Sequence, residues 1–150
     1  MTKTLPMAKN MLITGAAQRI GAALAGEMAA EGWHVCIHYN TSQAKAEKVA
    51  DAIISKGGKA SLYHADLATT EGPEDLIARC HDEIGPLSCL INNASIFEND
   101  NLNNFTDKSF TKHLNVNLKA PALLTQSFSR YVRNSDGIII NIIDCGNKKN

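Results

Sequence analysis

The chain is predicted to be an α/β protein built on a doubly wound parallel sheet with helices on both faces. Three observations predict this. Short apolar runs alternate with segments of helical periodicity along all 150 residues. The first apolar run, ending at Ile13, passes through Gly15 into a helical pattern. The last, residues 138–143, is interrupted only by Asn141 and reads as a strand buried on both faces.

The elements follow in order. After the first strand, Ile20, Ala23, Leu24, Met28 and Ala29 recur with the spacing of one helix face. Residues 33–39 form the second strand. Residues 42–55 then repeat apolar side chains at Ala46, Val49, Ala50, Ile53 and Ile54, with Ser42 as candidate N-cap. Residues 59–64 make a third strand, left through Asp66-Leu67 and a loop. Pro73 suits an early helical position, and Leu76, Ile77, Cys80 and Ile84 form the apolar face of a helix that stops at Gly85-Pro86. Residues 87–91 are the fourth strand, with Asn92-Asn93-Ala94-Ser95 as its polar exit. From Asp107 a helix runs through Phe110, Leu114 and Leu118, and Pro121 predicts a bend or restart before Leu124, Phe128 and Val132. Asp136-Gly137 turns into the fifth strand. Ligands of such sheets bind beyond the carboxyl ends of the strands, where Gly15, Asn92 and Asp144 are expected to converge.

Composition narrows the function classes. An apolar fraction of 44% in 150 residues fits one soluble globular domain, 1–150. Fifteen basic and fifteen acidic side chains cancel, so no net field favours nucleic acid or an anionic membrane. Residues 1–9 lack the apolar stretch of a signal peptide and are expected to form a flexible N-terminus; no later segment approaches membrane-spanning length, so the expected location is cytoplasmic. Residues 146–150 form a polar tail. Cys36, Cys80, Cys89 and Cys145 form no CxxC pair and no zinc spacing, and Cys36 and Cys89 fall in strands as small buried hydrophobes. The five histidines, at 34, 38, 64, 81 and 113, are too scattered for a metal site. Phe97, Phe105 and Phe110 either line a cleft after the fourth strand or pack locally.

The chemistry concentrates in Thr14-Gly15-Ala16-Ala17-Gln18-Arg19-Ile20-Gly21. Gly15 turns without a Cβ and Gly21 lets the helix lie close to sheet or ligand. The first helical turn offers unpaired N–H groups and the positive end of the helix dipole, so a diphosphate is accommodated there. Thr14 either ties this turn to a neighbouring loop or satisfies the strand end.

Four separated motifs in this order resemble the nucleotide-binding part of the short-chain dehydrogenase/reductase family, over the whole chain. They are the glycine turn, matching TGxxxGxG with Arg19 in place of the middle glycine; Asp66-Leu67; Asn92-Asn93-Ala94-Ser95, matching NNAG with serine last; and Asn117. The resemblance implies a Rossmann-like domain, here stopping after the fifth strand, and a nicotinamide cofactor. By that resemblance Thr14, Gly15, Arg19, Ile20, Gly21, Asp66, Leu67, Asn92 and Ala94 bind cofactor, as do His38, Tyr39, Asn40 and Ser42 at the exit of the second strand. Arg19 together with residues 38–42 is similar to the pteridine-reductase branch, as is Asp144, which stands where most relatives carry a catalytic serine. The implied reaction is reduction of a pterin or dihydrofolate-like small molecule, with Asp144 and Asn117 as catalytic residues and the complete form a homo-oligomer.

Charge discriminates between the cofactors. A carboxylate ending the second strand would bind the adenosine ribose hydroxyls and repel a 2′-phosphate. None stands there, whereas Arg19 supplies a forked cation and Ser42 a hydroxyl, so NADPH/NADP+ is expected. Plainer readings stand beside these: a solvated Arg19, a loop or capping carboxylate for Asp66, a strand terminator for Asn93, structural hydrogen bonding for Asn117 and a turn carboxylate for Asp144. The family's catalytic YxxxK segment is expected about a dozen residues beyond Asp144, and Tyr39, Tyr63 and Tyr131, or Lys148 and Lys149, do not supply it. The 150 residues are therefore expected to hold the cofactor half of a reductase and not its full catalytic constellation. A carbonyl reductase and a non-catalytic nucleotide-binding or regulatory protein are the alternatives.

Overall fold

The computed structural model describes residues 9–99, 101–132 and 136–143. Its elements alternate as β1 (Asn10–Ile13), α1 (Arg19–Ala30), β2 (His34–Tyr39), α2 (Gln43–Ile54), β3 (Lys59–His64), α3 (Glu71–Ile84) and β4 (Cys89–Asn92). Then come α4 (Asp107–Leu114), a π-helical turn (Asn115–Lys119), α5 (Ala120–Tyr131) and β5 (Ile138–Asn141). The strands lie in the order β3-β2-β1-β4-β5, every neighbouring pair parallel. This is the predicted doubly wound α/β sheet.

Strand alternation sorts the core into two layers. Met11, Ile13, Val35, Ile37, Cys89 and Ile91 face one side, where Ala25 and Ala29 of α1 and Ala46, Ala50 and Ile53 of α2 cover them. Leu12, Cys36, Tyr63 and Leu90 face the other, against Leu76, Ile77 and Cys80 of α3 and Leu124 and Phe128 of α5. Helices thus cover both faces, and the buried thiols of Cys36 and Cys89 behave as apolar packing. Among the described residues, no helix is long and apolar enough to cross a membrane.

Four local expectations are corrected. The fourth strand begins at Cys89 and runs on to Asn92, Leu87 and Ser88 being buried just ahead of it. The backbone does not restart at Pro121: helix runs from Asp107 to Tyr131 through the π turn, in which the Ala120 N–H donates to the Asn115 carbonyl five residues back. A widened turn of this kind accommodates the proline ring and its missing N–H. Ser42 caps α2 through its carbonyl, which accepts from Lys45 and Ala46, and its hydroxyl makes no capping bond. The fifth strand ends at Asn141, and its isoleucines are exposed, because it pairs with β4 on one side only and no described element covers its faces.

Candidate functional site

The strand order reverses between β1 and β4, which lie side by side with the crossovers leaving in opposite directions, and the crevice at their carboxyl ends is where such sheets bind ligands. Three chain exits meet there. The residues after β1 form the glycine turn, those after β4 form Asn93-Ala94, and those after β3 form Ala65-Asp66.

Thr14 ties the first two together. Its Oγ1 accepts from the amides of Asn93 at 3.0 Å and Ala94 at 2.9 Å, so the loop tie is present, and its hydroxyl also reaches the Ile91 carbonyl of β4 at 3.4 Å. Asn93 returns the contact, its side-chain amide donating to the carbonyls of Thr14 at 2.8 Å and Gly15 at 3.2 Å. Asn93 is therefore more than a strand terminator. It cross-links β4's exit to the turn that opens α1.

The turn leaves no room for side chains at its glycines. Gly15 has φ +64°, and a Cβ there would lie 2.9 Å from Ala94 Cα. A Cβ on Gly21 would lie 2.5 Å from the Gly15 carbonyl oxygen and 2.6 Å from the Asn93 amide nitrogen. Arg19 also adopts a left-handed φ of 54°, the only non-glycine to do so among the described residues. An L-residue held there costs about 1 kcal/mol, and the conformation is that of the glycine whose place it takes in the motif. Its guanidinium is exposed and engages no described residue.

His38 fixes the turn from beneath. It is buried, its Nδ1 accepts the Gly15 N–H at 3.0 Å, and its Nε2–H donates to the Ala65 carbonyl at 3.1 Å. The two bonds define one tautomer and join the exits of β1 and β3 through β2. Burial, opposed only in part by the Ala65 bond, lowers its pKa from 6.5 to about 4. The ring is spent on the scaffold, so what His38 offers a ligand is the position of the Gly15 amide.

The remaining expected residues are distributed around this core. Ile20 is exposed at the start of α1, Tyr39 tilts against His64 with ring centroids 5.6 Å apart, and Asn40 is exposed. Asp66 Oδ1 accepts from the Ala68 amide at 2.9 Å and meets the Asn40 amide at 3.5 Å. The Leu67 side chain is buried in the core against α3, leaving only its backbone at the crevice. Asn92 is buried, donating to Asn141 Oδ1 at 2.9 Å, and its own Oδ1 has no partner among the described residues. Asn117 lies in the π turn and brackets Ile96, accepting its N–H at 2.8 Å and donating to its carbonyl at 2.9 Å, while Asn115 of the same turn donates to the Ala68 carbonyl at 3.1 Å. The π turn thereby staples the loops after β3 and β4. Asp144 lies outside the described residues, as do residues 1–8 and 144–150. Phe97 is almost fully exposed, and the half-exposed Phe105 lies against the Phe110 ring, with centroids 6.1 Å apart.

Electrostatically the crevice is open to an anion. Neither α1 nor α2 has an acidic residue in its first turn or a side-chain cap, in contrast to α3, which begins with Glu71 and Glu74, and α4, which carries a Thr106–Ser109 capping box. Sequence reasoning overlooked Lys45, whose Nζ donates to Gln18 Oε1 at 2.6 Å, from α2 to the glycine turn. Its signal was a lysine in a helix's first turn, where the dipole disfavours it.

A model of the short chain dehydrogenase family matches residues 9–147. The curated relatives include the short-chain dehydrogenase/reductase FrzI of a Cladobotryum species, 35% identical over 119 residues, covering 79% of this chain and 46% of that protein. Another is the 3-oxoacyl-[acyl-carrier-protein] reductase FabG of Staphylococcus aureus, 30% identical, covering 92% of this chain and 56% of that one. Among solved structures, FolM alternative dihydrofolate reductase 1 of Brucella canis, complexed with NADP, superposes with a TM-score of 0.85 at 35% identity, over 92% of this chain and 56% of that one. The chain spans about half the length of these relatives.

Proposed function

This chain belongs to the short-chain dehydrogenase family, and from that premise we propose that it carries the NADPH-binding part of a reductase acting on a pterin or dihydrofolate-like ring. The observation that carries the reading is the Arg19 guanidinium, without a partner among the described residues, at a glycine turn whose facing strand, β2, ends in Tyr39 and exits through Asn40 with no carboxylate. A guanidinium there favours a phosphate, and the missing acid removes what would repel the 2′-phosphate.

The residues fit such a cofactor. Gly15 and Gly21 let the turn close against Asn93 and Ala94 where any Cβ would collide, and the uncapped start of α1 supplies amides to a diphosphate. Thr14, Asn93 and His38 hold that cradle rigid before a ligand arrives, which lowers the ordering cost of binding. When bound, the reduced nicotinamide would supply the hydride. Asp66 is assigned to the adenine amino group and Asn92 and Ala94 to the cofactor wall, with Asn117 holding the Ile96 segment in place and Asp144 as the candidate acid of the catalytic site. The pterin assignment draws support from the likeness to FolM, and FabG supports the alternative of a carbonyl substrate. The oligomeric form is proposed to be a homo-oligomer.

The test is a fluorescence titration of the full-length protein with NADPH and NADH, followed by turnover of dihydrobiopterin, dihydrofolate and a simple ketone. Tighter NADPH binding with reduction of the pterins alone is expected. Equal or tighter NADH binding overturns the cofactor assignment, and ketone reduction without pterin reduction moves the protein to the carbonyl class.

A further inference from the structure

We infer that Lys45 is a second cation of the adenosine 2′-phosphate subsite, parked on Gln18 until the phosphate arrives; the inference rests on the NADPH reading above. Lys45 projects from the first turn of α2 across to the N-cap of α1, its Nζ 2.6 Å from Gln18 Oε1. Gln18 is the residue before Arg19, so both cations sit at one turn. Lys45 has no carboxylate within ion-pair distance among the described residues, and Gln18 is a neutral acceptor. Three other exposed cations do reach carboxylates: Lys112 meets Glu98, Arg79 meets Asp75 and Arg130 meets Glu74.

The position is also costly to a lysine. The first turn of α2 is the positive end of its dipole, and the helix places no acid there to offset it. A phosphate in front of that turn reverses the sign of the interaction: the dipole, Lys45 and Arg19 all then face a dianion. Exchange of a neutral amide oxygen for a phosphate oxygen converts a bond charged on one side only into one between opposite charges. The Ser42 hydroxyl, which makes no capping bond, stands one residue ahead of the same turn. Lys48 is the internal control. It lies on the same helix with the same charge, but lines the groove between α1 and α2 along with Gly26, Ala29 and Gly57.

The experiment compares wild type, Lys45→Gln, Lys45→Arg and Lys48→Gln of the full-length protein. Dissociation constants are measured for NADPH, NADH, adenosine 2′,5′-bisphosphate and ADP at low and moderate salt. Lys45→Gln is expected to weaken NADPH and the bisphosphate about tenfold, the value of one charge-assisted bond, and to leave NADH and ADP unchanged. The loss should shrink as salt rises. Lys45→Arg should restore the affinity and Lys48→Gln should retain it. Unchanged NADPH affinity in Lys45→Gln, or equal weakening of NADPH and NADH, overturns the role of Lys45 while leaving the cofactor reading intact. A wild type without preference for NADPH overturns the cofactor reading itself, and this inference with it.

Discussion

The imidazole of His38 holds the amide of Gly15, Nδ1 accepting its N–H at 3.0 Å from a buried position under the glycine turn. A side chain of β2 therefore sets the backbone from which α1 starts, and the opposite ring nitrogen extends the same control to Ala65.

This linkage predicts acid sensitivity. The folded-state pKa of about 4 lies below the ordinary 6.5, so the folded protein keeps His38 neutral while the unfolded chain takes up a proton. The stabilisation is complete above about pH 6.5 and is lost as pH falls towards 4, at about 1.4 kcal/mol per unit. Urea denaturation of wild type between pH 7 and 4.5 should show this slope, and His38→Asn, which keeps an acceptor near Gly15 and cannot titrate, should flatten it. An unchanged slope in the variant would assign the acid sensitivity to other groups.

Thr14→Val is the sharpest probe of the tie between the glycine turn and the β4 exit. Valine matches the shape but orphans the Asn93 and Ala94 amides, at a cost of about 2 kcal/mol. Thr14→Ser keeps the oxygen and should recover most of the loss. Chemical denaturation of both variants checks the stability, and cofactor titration should show a parallel loss for valine alone.

Two glycines of α1 are predicted to respond with opposite sign. Gly21→Ala drives a methyl to 2.5 Å from the Gly15 carbonyl oxygen and should destabilise by about 2 kcal/mol or more. At Gly26 a Cβ meets nothing within 4 Å, and Gly26→Ala should stabilise by about 0.5–1 kcal/mol through helix propensity and the restricted unfolded chain. Equal shifts in melting temperature would contradict the crowding described for the turn.

A polypeptide of these 150 residues alone is predicted to self-associate. Ile138, Ile139, Ile140, Ile142 and Ile143 are each at least 38% exposed on or beside an edge strand, which offers both apolar area and unpaired backbone groups. Size-exclusion chromatography should show concentration-dependent oligomers, and Ile139→Lys with Ile143→Lys should shift them to monomer. A wild-type monomer at high concentration would refute the prediction.

The parts legible in the sequence are those that depend on local pattern. Alternation of apolar runs with helical spacing determined the strands, the helices and the parallel class, since a chain must bury one face of each element. The glycine turn was equally legible, because only glycine tolerates the backbone at Gly15 and the contact at Gly21. Tertiary structure decided the rest. Whether a histidine in an apolar strand points at a ligand or under a turn depends on which atoms lie beside it, and His38 found Gly15 and Ala65, residues 23 and 27 positions away. The π turn at Asn115–Lys119 absorbed Pro121 without a break, a choice made by the wider geometry of neighbouring carbonyls. The isoleucines of β5 announce burial by composition, yet burial requires a covering element, and sequence pattern alone cannot supply one. Lys45 reached Gln18 only because two helices begin at one edge of a folded sheet. Pattern is a property of neighbours in the chain, while a site is a property of neighbours in space.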